Sequence, residues 1–268
     1  MEREEFSLNL DYMPMFFHMF CLVYYFVIGI VIGSFLNVCI YRIPKKESIA
    51  KGSSHCVSCG TKIKRRDLIP VLSYFLLKGR CRYCNAPFSF RYALVEFLNG
   101  VVFLLCALKF QYTVETLLFS IFCSVLIVMA FIDLDTMIIP DRIHVIIIFI
   151  GISLAFVSEM AINERIIGFF SVSLVLMLAS IISKGGIGGG DIKLMAVSGF
   201  VLGYKLILIG FLMGAILASV YGIIVSKGKR ENMKMRIPLG PFLALGMILS
   251  IFIGNNVISW YTSLMLGY

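Results

Sequence analysis

Acidic residues are scarce in this chain: 15 of its 268 residues are Asp or Glu, against 24 Lys and Arg, and charged residues of both signs make up only 15%. Soluble domains carry nearer a quarter, so an ordinary water-soluble globule is excluded. Polar length is scarce too, since one sizeable polar stretch, 41–92, interrupts the apolar runs. No basic stripe with interleaved aromatics stands apart from those runs, which argues against nucleic acid as a partner. The net charge of +9 is read instead as topology and contact with anionic lipid head groups. The acidic opening MEREEFSLNLDYMP lacks a basic n-region, and no small-residue cleavage site follows the first apolar run. That run is therefore expected to stay as an anchor.

What the chain has instead is apolar sequence: 60% of it is hydrophobic, with a mean hydropathy of +0.96. Crossing about 30 Å of hydrocarbon takes roughly 17–25 residues per helix. Runs of this kind fall at 17–40, 93–110, 113–132, 142–158, 164–183, 191–204, 206–226 and 237–257, the sixth being short. The fold class expected is an all-α polytopic membrane protein with about eight transmembrane helices and a small insertion between the first two. Lys and Arg collect on the cytoplasmic side. If the first helix runs inward, 20 of the 24 lie on that side, leaving Arg3, Lys109, Arg165 and Lys205 opposite, with both termini outside.

The insertion contains HCVSCG at 55–60 and GRCRYCNAPF at 79–88. Cys56, Cys59, Cys81 and Cys84 form two C-x-x-C pairs, close to the spacing of four-cysteine zinc sites. Each such turn aims two thiolates at one point, and two turns complete a tetrahedron. So small an insertion buries little apolar surface, and bound zinc would supply the missing folding free energy. Two disulfides or a redox pair are the alternatives; a cytoplasmic setting disfavours the disulfides. Cys21, Cys39, Cys106 and Cys123 lie in apolar spans and behave as small hydrophobes.

Against this background the remaining carboxylates are informative, because an ionisable group at membrane depth marks a functional site by default. One group is IDLDTMIIPDR at 132–142; the other is Asp191 in SKGGIGGGDIKLMAV at 183–197. Asp141 and Asp191 each open an apolar span, a favourable place for a capping carboxylate. Asp133 ends one, where the helix macrodipole disfavours negative charge. The glycines before Asp191 would admit close backbone approach and turns with positive φ. They do not make a phosphate loop, for the G-x-x-x-x-G-K-[ST] order is missing. Two aspartates a few ångströms apart would share a proton, the arrangement of an aspartic protease. A carrier with intramembrane carboxylates is the rival reading, although no second interrupted helix matches the glycine loop.

These pieces resemble a known family, the type IV prepilin peptidases, which are leader peptidases and N-methyltransferases related to the G-x-G-D intramembrane aspartyl proteases. The resemblance rests on GSFLNVCIYRIP at 33–44, HCVSCG, DLIPVLSYFLLKGRCRYC at 67–84, SFRYALVEFLNG at 89–100, IDLDTMIIPD, GIGGGDIKLMA and IPLGPFLALG at 237–246, in the family's order. It implies Asp133 and Asp191 as the catalytic pair, with Pro140, Gly188, Gly189 and Gly190 completing their D-x6-P and G-x-G-D motifs and Asp135 and Asp141 in support. It also implies zinc at the four cysteines and cleavage of prepilins or pseudopilins after a glycine on the cytoplasmic side of a bacterial inner membrane. Methylation of the new N-terminus from S-adenosylmethionine would follow.

The chain departs from the family at Leu68, in its D-N-I-P motif, and at Ala93, in R-Y-P-L-V-E. No Rossmann fingerprint is present to locate the methyl donor. Asn37, Arg91 and Glu96 are its candidate ligands, against a plain reading in which Arg91 snorkels and pairs with Glu96. The domains expected are an N-terminal segment and first helix at 1–40, a methylation-associated zinc insertion at 41–92, and an aspartyl peptidase domain at 93–268. A peptidase without methylation is the nearer alternative.

Overall fold

The computed structural model describes residues 15–50, 54–226 and 238–266. The acidic opening and the segment 227–236, which holds five of the 20 Lys and Arg counted on the cytoplasmic side, lie outside the described residues. Among the described residues eight α-helices follow one another, α1 (Met15–Arg42), α2 (Leu72–Leu76), α3 (Arg91–Phe110), α4 (Val114–Thr136), α5 (Asp141–Val157), α6 (Ile162–Ile182), α7 (Gly189–Ser226) and α8 (Gly240–Leu266), with a single 3-10 turn (Arg65–Leu68) between the first two. Extended pairing among the described residues is confined to two isolated antiparallel bridges, His55 with Lys62 and Arg80 with Pro87.

Six of these helices, α1, α3, α4, α6, α7 and α8, are long and apolar enough to cross a membrane. Large apolar side chains stand exposed along them, among them Phe16, Phe20, Val27 and Val31 on α1 and Leu174, Leu178 and Ile181 on α6. A lipid surrounding removes the penalty such faces would incur in water. Two compact units divide within α4, between Ser124 and Val125. Within the first unit α3 packs against α1.

In the first unit glycines bring α1 and α3 together. A Cβ at Gly29 would stand 2.7 Å from Phe103 Cβ, and one at Gly33 would stand 2.7 Å from Glu96 Cα. Small residues at such crossings let helices approach closely in a membrane. Buried Asn99 joins three helices, donating to Gly29 O at 2.7 Å and accepting from Ser124 Oγ at 2.7 Å.

In the second unit α7 is two helices in succession. Gly203, with φ 73° and ψ 169°, breaks it in a region that essentially only glycine occupies. The second half then runs back along α8: Leu206 meets Gly254, Gly210 meets Met247, and Gly214 meets Leu243. The expected break between 204 and 206 thus falls at Gly203. Arg165, counted on the outer side, is 1% exposed on α6. Its guanidinium donates to the carbonyls of Leu154, Phe200 and Val201 and to Ser158 Oγ. These acceptors lie where α5 and the first half of α7 end, the negative poles of both helices.

Candidate active site and metal centre

The last turn of α4 closes when Met137, at φ 53°, returns its N–H to Asp133 O at 2.8 Å. Asp133 is left facing inward at 5% exposure, while Asp135 is exposed. The buried carboxylate meets the start of α8, where Gly240 N–H donates to Asp133 Oδ2 at 3.0 Å. The positive pole of α8 thereby answers the unfavourable macrodipole at the end of α4. A Cβ at Gly240 would lie 2.6 Å from that oxygen, so the approach requires glycine.

Asp191, half-buried in the first turn of α7, interacts electrostatically with Asp133. Its own N–H donates to Gly188 O at 3.1 Å. A Cβ at Gly188 would stand 3.1 Å from Asp191 Oδ2, and one at Gly190 would stand 3.2 Å from Ile139 Cβ. The glycine loop therefore lies against the segment leading to Pro140, which adopts extended backbone just before α5. Two side chains fasten that contact. His144 Nε2 lies 3.2 Å from Gly190 O, and Lys193 Nζ donates to Asp141 Oδ1 at 2.8 Å. Asp141 is thus a paired, exposed carboxylate opening α5. Sequence reasoning missed Gly240, His144 and Lys193; only the motif IPLGPFLALG around Gly240 was a signal.

In the first unit the cysteines sit in two matching turns. Cys56 N–H bonds Thr61 O at 2.9 Å and Gly60 N–H bonds Cys56 O at 2.8 Å; Cys81 N–H bonds Ala86 O at 2.9 Å and Asn85 N–H bonds Cys81 O at 3.0 Å. Gly60 and Asn85 take the left-handed conformation at equivalent places, φ 68° and 56°. All four Sγ atoms lie within 4.8 Å of one another, and none is in a disulfide. A tetrahedron with arms of about 2.3 Å has edges of about 3.8 Å, and Cys56 Sγ to Cys84 Sγ is 3.8 Å. The cluster fits a thiolate-bound metal. Hydrogen bonding to Thr61 lowers the Cys59 thiol to about 6, while burial and the neighbouring thiols push Cys84 up to about 12, so one proton is shared unevenly across the cluster. Beside it, Arg82 grips Asp67 through Nε and Nη2, the shortest contact being 2.6 Å.

A cavity of about 420 Å³ opens beneath this lobe, between the end of α1 and the start of α3. Asn37 and Glu96 line it and Arg91 does not. Asn37 Nδ2 donates to Tyr92 O at 3.0 Å. Glu96 does not pair with Arg91; its Oε2 accepts Val71 N–H at 2.6 Å.

The sequence matches two family models, the bacterial peptidase A24 N-terminal domain over 27–110 and the type IV leader peptidase family over 120–223. It is 32% identical over 243 residues to the prepilin leader peptidase/N-methyltransferase of Bacillus subtilis (strain 168), covering 90% of this chain and 98% of that one. The protein of the same name from Legionella pneumophila is 31% identical over 269 residues, covering 88% and 94%. A type 4 prepilin-like proteins leader peptide-processing enzyme of Escherichia coli O78:H11 is 32% identical over 250 residues, covering 84% and 91%. No solved structure matches the chain. With the two models together spanning most of its helices, and with full-length relatives above the 30% level, the chain belongs to the type IV leader peptidase family.

Proposed function

We propose that this protein removes the leader of type IV prepilins or pseudopilins and then N-methylates the exposed N-terminal residue, in a bacterial inner membrane. Membership in the family, whose relatives carry both activities in their names, supports the reading. The observation that carries the chemistry is the buried carboxylate of Asp133 at the meeting of α4 and α8, with a second aspartate, Asp191, half-buried at the start of α7. One carboxylate takes a proton from water as its oxygen attacks the peptide carbonyl carbon; the other donates its proton to the carbonyl oxygen. Collapse of the tetrahedral diol breaks the C–N bond, and the leaving amine takes up a proton. As the family resemblance implies, the bond follows a glycine at the head of the substrate's apolar helix.

The return of α7 along α8 favours eight crossings, counting α5 and both halves of α7. The ends of α4 and the starts of α5, α7 and α8 then share the cytoplasmic side, and both termini lie outside. Cys56, Cys59, Cys81 and Cys84 would hold zinc, which would fix the lobe over the cavity. When bound, S-adenosylmethionine supplies an electrophilic methyl group to the freed α-amine. Cleavage comes first, because no amine exists at that position before it.

The test is mass spectrometry of a type IV prepilin incubated with S-adenosylmethionine and membranes holding the protein, with Asp191→Ala membranes as control. A product beginning after the leader glycine and carrying one added methyl group is expected. A cleaved but unmethylated product would leave a peptidase alone, and an intact prepilin would overturn the reading.

A further inference from the structure

The cavity in the first unit has the size of a site for a cofactor-sized molecule. Three carboxylates line it, exposed Glu47, Asp67 and Glu96, together with Arg42 and His55, and the carboxylates are not alike. Asp67 is already neutralised by the two-pronged grip of Arg82. Glu96 is 9% exposed, and its partners are neutral: Val71 N–H at 2.6 Å and the side chain of Ser34. Among the described residues no Lys, Arg or His forms an ion pair with it.

The Val71 bond is built at a cost. Val71 stands at φ 60° and ψ −54°, where a β-branched residue is a conformational outlier. The strained peptide aims its N–H at Glu96 and fixes the carboxylate at the cavity wall. A buried carboxylate without a counter-ion is expensive to ionise, and a cation entering the cavity would favour its charged form. Tyr74 and Tyr92 on the same walls offer faces suited to a cation or a purine ring.

We infer that Glu96 is the specificity group of this cavity, selecting the positively charged sulfonium of S-adenosylmethionine over its neutral thioether product, S-adenosylhomocysteine. The inference rests on the methylation reading above. Both molecules carry the same α-amine and adenosine, so a group that faces the sulfonium discriminates between them and one that faces the amine does not. Asn37 serves as a positioning residue, tying the end of α1 to Tyr92 at the cavity rim.

The experiment is calorimetric titration of the purified, zinc-loaded protein with each ligand, for wild type, Glu96→Gln and Glu96→Asp. Zinc content and melting temperature report folding. In Glu96→Gln, binding of S-adenosylmethionine should weaken roughly tenfold or more while that of S-adenosylhomocysteine changes less than about twofold; Glu96→Asp should recover part of the preference. Equal weakening of both ligands, or no change, overturns the inference and leaves methylation standing. Failure of the wild type to bind either ligand overturns the methylation reading as well. Ultraviolet crosslinking of radiolabelled S-adenosylmethionine to the wild type needs no variant. Label within 34–96 is expected, and label confined to 125–268 overturns the assignment.

Discussion

Gly240 N–H points at the carboxylate of Asp133, 3.0 Å from Oδ2, and so couples the first residue of α8 to the last turn of α4. The contact leaves no room for a side chain. Gly240→Ala should push Asp133 aside and slow leader removal by about 100-fold, the scale of a 1 Å misplacement of a reacting group. Quantitative immunoblots of processed prepilin would read it, with unchanged membrane yield of the variant as the control.

The carboxylates near the glycine loop should differ sharply in consequence. Asp133→Asn and Asp191→Asn should each abolish leader removal, and the double variant should be no worse, because groups that act as a unit lose their effect together. Asp141 pairs with Lys193 on the exposed surface, where an ion pair contributes about 0–1 kcal/mol. Asp141→Ala should therefore cost less than about fivefold. A silent Asp133 or an essential Asp141, in the same processing assay, would contradict the assignment.

Gly203 holds α7 in its two halves, and a Cβ there would also press on Met160 Sδ at 2.8 Å. Gly203→Ala should destabilise the second unit by about 1–3 kcal/mol through backbone strain alone. A lower thermal midpoint in detergent would show it, alongside diminished processing.

The thiolate cluster lies in the first unit and the aspartates in the second. Zinc should be found at one ion per chain by elemental analysis and should be lost in Cys56→Ser or Cys81→Ser. Methyl addition should disappear with it while leader removal persists, as intact mass of the processed pilin would reveal. Loss of both activities together would mean that the units do not function separately.

How much of this was legible in the sequence depends on how far apart the partners are. The doubled C-x-x-C is local, and each turn closes on itself within a few residues, so spacing was enough. Asp133 and Asp191 stood out because a carboxylate among apolar residues has few innocent explanations. The break in α7 showed as an interruption of the apolar run, displaced from Gly203 by one to two residues. Gly240 carried no visible tie to a residue 107 positions away. Glu96 was expected beside Arg91 on helical periodicity, yet a backbone N–H 25 residues away holds it. Arg165 was counted only as a charge on the outer side; its burial depends on two helix ends that converge only in three dimensions.

The break at Gly203 also bears on the solvent around this protein. The first half of α7, from Gly189 to the residue before the break, rises about 21 Å at 1.5 Å per residue, against a hydrocarbon layer of about 30 Å. With the Gly203 turn at one face of the bilayer, the opposite leaflet must dip by roughly 9 Å around Asp191, or the glycine loop must sink to meet it. Either accommodation gives water a local inlet beneath the average membrane surface. A substrate helix lying alongside would then have its first peptide bonds hydrated while the rest of it remained in lipid.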